Sequence, residues 1–251
     1  MNTGSVHTQI IAKVATLTFF HPASNSLPSD LLRKITEELI SLGQNEEVQV
    51  ILLKSDGEKT FCAGASFDEL LAVDSEEKGT LFFMGFAHLI NAIRSCNKVV
   101  IGLVQGKAVG GGVGLLSACD YCLATEEADL KLSELFIGIG AFVIEPAVTR
   151  KVGKSAFSTL TLEATEWHSA QWGLDKGLFS KVFSSIQEMQ AAADKLSTAL
   201  ASYSPKALLE MKKVFWEGTE HWDTLLKERA AISGKLVLSK FTKETLQKFK
   251  R

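Results

Sequence analysis

The sequence predicts an α/β fold in which strands alternate with helices. Three observations lead to this prediction. Short apolar runs of strand length recur between residues 14 and 124. The segments between them carry apolar residues at helical spacing. A glycine-rich turn, GKAVGGGVG at residues 106–114, directly follows one of the apolar runs. Alternation of this kind is typical of α/β architectures.

The first elements are a strand, a helix and a second strand. Residues 14–20 are predicted to form a strand that ends before the turn residues Pro22 and Asn25. Pro28 suits the first turn of a helix. Residues 48–53 form a short, nearly continuous apolar strand. The predicted helix after Pro28 has one apolar stripe, formed by Leu31, Ile35, Leu39 and Leu42.

The central part of the chain continues the alternation. Residues 99–104, VVIGLV, suit a strand buried on both faces. A buried helix is predicted after the glycines, ending near Asp120, and a short strand at residues 121–124. A helix is predicted at residues 75–94, with its inward side formed by Phe82, Phe83, Phe86, Leu89, Ile90 and Ile93.

The last third of the chain is predicted to be helical. Helices are expected at residues 188–203, 205–216 and 222–239, and no strand is expected after Phe183. The predicted apolar stripe of the last helix consists of Trp222, Leu225, Leu226, Arg229, Ile232, Leu236 and Val237. A helical tail that cannot bury such a face alone is expected to dock on another subunit. We therefore divide the chain into a core, residues 1–190, and a C-terminal helical region, residues 191–251.

Composition excludes several classes of function. The chain has 251 residues and a net charge of -2, which gives no electrostatic footprint for nucleic acid or an anionic membrane. The N-terminus shows no basic region followed by an apolar core, and no apolar run approaches the length of a membrane span. We expect a soluble, cytoplasmic protein without a nucleic-acid or membrane partner.

The cysteines and histidines do not predict a metal site. Cys119 and Cys122 form a single CxxC pair, but no second pair or nearby histidine completes a zinc site. The five histidines are dispersed along the chain. Buried, reduced thiols are the favoured interpretation, and no metal is expected.

The turn at residues 106–114 predicts a site for an anionic oxygen. Glycines can take positive φ and allow close approach to the main chain, and a helix that begins here adds positive potential. Two phosphate-binding motifs fail at a required position: GxGxxG has Leu115 in place of a glycine, and GxxxxGK[ST] has Val148. On this stretch alone, glycines that serve only tight packing remain an equal alternative.

A second turn of similar construction lies at residues 61–70, FCAGASFDEL. It follows the strand at 48–53 after a short polar segment, and Gly64 is expected to form the turn. Two bare N–H groups at the ends of two strands can point at one carbonyl oxygen. The two turns together therefore predict such an oxygen-binding site more specifically than either turn alone.

Four stretches in order resemble the crotonase superfamily, the enoyl-CoA hydratase and isomerase group: FCAGASFDEL, GKAVGGGVG, Glu134 in KLSELFIGIG, and HSAQWGLDKGLFSKV. The resemblance covers nearly the whole chain. It implies a spiral of ββα units with a C-terminal α-helical oligomerisation region that builds homotrimers, often paired into hexamers. The implied substrate is an acyl-CoA, and coenzyme A, as part of the thioester substrate, takes the place of a separate cofactor.

The resemblance also implies roles for individual residues. The N–H groups of Ala65 and Gly111 form an oxyanion hole for the thioester carbonyl. Glu134 is the catalytic acid/base, and its apolar neighbours should raise its pKa. Further positions match family contacts of CoA or could wall the acyl pocket. The CoA positions are Ala23, Ser24, Ala63 and Phe67; the wall candidates are Phe82, Phe86, Phe136 and Phe142; Lys248, Lys250 and Arg251 could meet phosphates, although a solvated basic tail explains them equally.

The chain departs from family hydratases at three places. Gly114 stands where hydratases carry a second glutamate, and IGIGAFVIEPAV replaces a glycine-rich segment. Glu145 could supply a carboxylate, but a non-catalytic role is favoured. Ser66 stands where aspartate is common. One carboxylate suffices to move a double bond, so enoyl-CoA isomerisation is favoured, with hydration as the alternative. A catalytically weak acyl-CoA-binding paralogue is the alternative from another class.

Overall fold

A computed structural model of the protein describes residues 4–248, which form nine strands and ten helices. No helix in this part of the chain has the length and apolar character needed to cross a bilayer. The strands are β1 (Ser5–Ile11), β2 (Val14–Phe20), β3 (Val50–Ser55), β4 (Thr60–Cys62), β5 (Val99–Val104), β6 (Lys107–Val109), β7 (Tyr121–Thr125), β8 (Leu130–Lys131) and β9 (Lys181–Phe183). The helices are α1 (Ser29–Gln44), α2 (Phe67–Leu71), α3 (Glu76–Ser95), α4 (Gly111–Ala118), α5 (Glu145–Leu162), α6 (Ala170–Asp175), α7 (Ile186–Ser202), α8 (Pro205–Phe215), α9 (Trp222–Leu236) and α10 (Lys240–Lys248).

The strands form two sheets. The larger has the order β1-β2-β3-β5-β7-β9 and is parallel except for the antiparallel pair β1 and β2. The smaller is parallel with the order β4-β6-β8. From β3 to β9, successive strands therefore alternate between the two sheets, and each pair is followed by helix: β3-β4 by α2 and α3, β5-β6 by α4, β7-β8 by α5. This repeat confirms the predicted α/β spiral of ββα units.

Most predicted elements are confirmed, some with shifted ends. The strands expected at 14–20 and 99–104 are β2 and β5, and the strand expected at 48–53 is β3, Val50–Ser55. The helix expected at 75–94 is α3, which begins after Ser75, whose Oγ accepts a hydrogen bond from the Lys78 amide at 3.3 Å. Phe83, also expected on the inward side of α3, is partly buried and packs against the core. The elements missed are β1, β9, α5, α6, α10 and the short strands of the smaller sheet.

The C-terminal helix α9 packs closely on α3 of the same chain. A Cβ built on Gly79 would lie 2.7 Å from the carbonyl oxygen of Gly234, so these two glycines allow the helices to approach. The predicted stripe of α9 is wrong at Ile232, which is 39% exposed, while Ser233 and Gly234 are buried. Oligomerisation through this region stays a prediction, and the boundary placed after residue 190 lies inside α7.

A buried ion pair ties the helical region to the larger sheet. Lys212 on α8 lies 2.9 Å from the Asp120 carboxylate, and both side chains are almost fully buried. Lys212 also donates to the carbonyls of Ile93 and Lys98, while Trp216 donates to Asp120 at 2.7 Å. Because both charges are hydrogen-bonded as well as paired, their desolvation is compensated. The network fixes α8 beside the start of β7.

Candidate active site

The N-terminus of α4 presents a free backbone amide. Gly110 has φ 54°, a left-handed conformation that turns the chain from β6 into the helix, and its own N–H donates to the Lys131 carbonyl at 2.9 Å. Among residues 4–248, the N–H of Gly111 donates no hydrogen bond. Every residue of α4 is buried, so the positive end of this helix lies at a site shielded from bulk water.

A second free amide lies beside the first. Gly64, with φ 87°, follows β4, and within the described residues the next amide, that of Ala65, is not a hydrogen-bond donor either. A Cβ built on Gly64 would lie 3.4 Å from the Gly111 nitrogen. The two turns that the sequence predicted to be neighbours are therefore in contact, and their free amides line one cavity. Ser66, where aspartate was expected, caps α2 by accepting from the Glu69 amide at 3.4 Å.

The Glu134 carboxylate lies against the same turn. A Cβ built on Gly110 would be 2.7 Å from Glu134 Oε1, so only glycine leaves room for the carboxylate here. The Oε2 atom is buried and has no hydrogen-bond partner among residues 4–248, although the residue as a whole is partly exposed. Desolvation by burial raises the pKa of Glu134 from 4.5 to about 7. Such a carboxyl can take up or release a proton near neutral pH.

This pKa predicts that Glu134→Gln stabilises the fold at alkaline pH. Because the pKa is raised in the folded state, the wild type loses stability as pH rises from the unfolded value, about 4.3, through the folded value near 7. We expect the variant to gain on the order of 3 kcal/mol in unfolding free energy above pH 7 and about nothing near pH 4. Urea unfolding at both values measures the difference. An equal difference at both would contradict the expectation.

The free amides and Glu134 line one cavity of about 480 Å³. Its walls come from the two turns, from α3, from the segment between β8 and α5, from Ala164 and Thr165 after α5, and from Ser233 on α9. Among its lining residues Glu134 is the single carboxylate and Lys131 the single cation. The four predicted wall residues all line the cavity: Phe82, Phe86, Phe136 and Phe142. A mostly apolar cavity with a few convergent polar groups suits a small organic ligand with an acyl chain.

The predicted CoA positions are divided. Ala63 and Phe67 line the cavity, whereas Ala23 and Ser24 form an exposed turn that does not. This turn still abuts the site, because the Ser24 carbonyl accepts a hydrogen bond from the Ala63 amide at 3.1 Å. Lys248 ends α10, and Lys250 and Arg251 lie outside the described residues.

Ile144 occupies the space beside Gly114. A Cβ built on Gly114 would lie 2.6 Å from the Ile144 Cβ and would overlap Ile144 Cγ2 more deeply. Glu145 does not replace the missing carboxylate: it does not line the cavity, and its side chain accepts from Thr149 at 3.0 Å and lies 3.7 Å from Arg229. Sequence reasoning missed Ile144, because nothing in the pattern shows which residue faces position 114.

No group of three or more histidine, cysteine, aspartate or glutamate side chains in the described part of the chain is placed to hold a metal ion. Cys119 and Cys122 are free and buried, as predicted. The Cys62 thiol lies under the turns, where it accepts from the Gly64 amide at 3.4 Å and burial raises its pKa to about 12. The Cys62 thiol is therefore a protonated group of the interior.

Known proteins resemble this chain in family, in sequence and in fold. A family model described as enoyl-CoA hydratase/isomerase matches residues 9–250. A probable enoyl-CoA hydratase of Bacillus subtilis is 29% identical over 94% of this chain and 92% of its own length. A peroxisomal Delta(3,5)-Delta(2,4)-dienoyl-CoA isomerase of Arabidopsis thaliana is 29% identical over 78% of this chain and 74% of its own. The crystal structure of an enoyl-CoA hydratase from Bacillus halodurans superposes with a TM-score of 0.90 at 22% identity, covering 97% of this chain and 99% of that one.

Proposed function

Because this chain belongs to the enoyl-CoA hydratase/isomerase family, we propose that it is an acyl-CoA enzyme that moves the double bond of an enoyl-CoA. Glu134 takes a proton from C2 of a 3-enoyl thioester. The amides of Ala65 and Gly111 hold the thioester oxygen, on which negative charge then develops. Glu134 returns the proton at C4, which leaves the double bond conjugated with the carbonyl.

The single carboxylate of the cavity carries this proposal. A proton shuttle needs one group whose pKa lies near the working pH, and burial brings the pKa of Glu134 to about 7. Hydration needs a water held and activated on one face of the substrate, for which a second carboxylate is the usual means. The position that would supply it is Gly114, and Ile144 fills the space beside it.

Gly114→Glu alone is expected to yield no hydratase. The new side chain would overlap Ile144, so we expect a loss of about 1–3 kcal/mol in unfolding free energy and no gain in hydration. Gly114→Glu combined with Ile144→Gly provides the room, and we expect it to add water to a 2-enoyl-CoA at a rate above the wild type. Loss of the enoyl absorbance measures hydration. Ile144→Gly alone is the control, and equal hydration by the control and the double variant would contradict the expectation.

The kcat/KM for isomerisation is expected to rise with pH and level off above a midpoint near 7. Below this midpoint Glu134 is protonated in the free enzyme and cannot accept the C2 proton. Initial rates at low substrate concentration across the neutral range measure the profile. A midpoint near the ordinary pKa of glutamate, about 4.3, would mean that Glu134 is not the proton acceptor.

Incubation with 3-enoyl-CoA or 2-enoyl-CoA in deuterated water tests the proposal. We expect conversion of the 3-enoyl to the 2-enoyl isomer, with deuterium at C2 or C4 and without 3-hydroxyacyl-CoA. Accumulation of 3-hydroxyacyl-CoA would instead assign hydration. Tight binding of both thioesters with no exchange would identify an acyl-CoA-binding protein without this catalysis.

A further inference from the structure

Ser233 places an unpartnered hydroxyl in the wall of the acyl cavity. The residue is 1% exposed, and its Oγ is buried without a hydrogen-bond partner among residues 4–248. It lines the same cavity as Glu134. The other cavity hydroxyls differ: Ser133 is partly exposed, and exposed Thr165 donates to Glu166 at 3.2 Å. An unsatisfied buried hydroxyl costs free energy, so the Ser233 position suits a partner supplied by the ligand.

The place of Ser233 in the fold is fixed by helix packing. The next residue, Gly234, lies against Gly79 so closely that neither has room for a Cβ. Val237, which follows the last residue of α9, packs in one cluster with Phe82 and Ile139, which both line the cavity. Ser233 therefore belongs to the aromatic and aliphatic part of the wall, on a helix whose orientation is set by its close contact with α3.

A second unpartnered donor lies one turn earlier on α9. The Nε atom of Arg229 is buried and has no hydrogen-bond partner among the residues described. The Arg229 guanidinium lies 3.7 Å from the Glu145 carboxylate, and Glu145 directly follows Ile144 of the cavity wall. The Arg229 charge is thus already paired with Glu145 and offers no free cation to a ligand at Ser233. An anion that met only a hydroxyl there would be buried without a counter-charge, which is costly, so a neutral oxygen is favoured.

We propose that the acyl site accepts a chain that carries a neutral oxygen, a hydroxyl or carbonyl, which accepts a hydrogen bond from Ser233 Oγ. This specificity rests on the proposed function, since it assigns the acyl tail of the same thioester. An apolar tail of the same length leaves the Ser233 hydroxyl buried and unpaired, whereas an oxygenated tail satisfies it.

Calorimetric binding of saturated acyl-CoAs tests the proposal without requiring turnover. A series of chain lengths is compared with the same chains bearing a hydroxyl, a keto oxygen or a carboxylate at successive carbons. We expect one position at which the neutral oxygen binds about 3- to 10-fold tighter than the plain chain. Ser233→Ala should abolish this preference. Ser197→Ala is the matched control, because Ser197 is a buried helical serine on α7 that does not line the cavity.

Each outcome separates the specificity from the activity. Equal or weaker binding of every neutral oxygenated chain, or a preference that survives Ser233→Ala, overturns the role of Ser233. A carboxylate that binds tightest at the same position overturns the neutral-oxygen assignment. Isomerisation of plain 3-enoyl-CoA, measured separately, tests the proposed function. Turnover without any preference for an oxygenated chain would support the isomerase activity and overturn the role of Ser233. A preference for an oxygenated chain without turnover would support the role of Ser233 and overturn the isomerase activity.

Discussion

Glu134→Gln is expected to lower kcat/KM for isomerisation by about 10²- to 10⁴-fold, the usual contribution of a positioned acid/base group. The amide is nearly the same size as the carboxylate, so it fits against Gly110 without a new clash. It cannot accept the C2 proton. Substrate affinity should change little, because the two free amides and the cavity wall remain. Initial rates of 3-enoyl-CoA conversion measure kcat/KM, and calorimetric binding of a saturated acyl-CoA measures the affinity separately.

The matched control for this variant is Glu145→Gln. Glu145 is the first residue of α5, which follows the segment that holds Glu134. It does not line the cavity and interacts with Thr149 and Arg229 instead. We expect Glu145→Gln to keep most of the activity. If Glu134→Gln kept most of its activity while Glu145→Gln lost it, the proton shuttle would have to be assigned to Glu145.

The elements predicted well are those whose surroundings are uniform. β5 is buried along its whole length in the middle of the larger sheet, so its sequence is a continuous apolar run. α1 buries one apolar stripe and exposes its opposite face, so the helical spacing of its apolar residues can be recognised in the sequence. The strands β4, β6 and β8 have three residues or fewer, too few for a period to appear. They form only because each follows a longer strand and the chain must cross to the second sheet.

The parts of the site that backbone groups form could be predicted from the sequence. Two glycine turns and one glutamate in a fixed order identified Ala65, Gly111 and Glu134, and the structure places all three in one cavity. The roles of Ile144 and Ser233 depend on which helix faces which turn. Ile232 looked inward by hydrophobicity, yet the close approach of α9 to α3 selects the small residues Ser233 and Gly234 instead. A single sequence contains no signal for that pairing.

Gly111→Pro, made together with Phe86→Ala, is expected to lower kcat by about 10²- to 10³-fold, the effect of losing one oxyanion donor. Gly111 is the first residue of α4, where the missing N–H of proline breaks no helical hydrogen bond and its φ is favourable. A Cβ at this position would overlap the Phe86 ring, which is why the second substitution is needed. Circular dichroism and a urea titration establish that the variant folds.

The reference for this experiment is Gly111→Ala in the same Phe86→Ala background, since alanine adds the Cβ and keeps the amide. Single-turnover rates of the two double variants give the contribution of the Gly111 N–H alone, and free CoA binding shows whether the proline ring blocks the site. Equal rates would mean that the thioester oxygen is not held by this amide. A slower rate for the proline variant alone, with CoA bound normally, would show that the Gly111 N–H contributes to the rate. The negative charge of the transition state must then lie within hydrogen-bond reach of the α4 N-terminus, in the cavity that Glu134 and Ala65 also line.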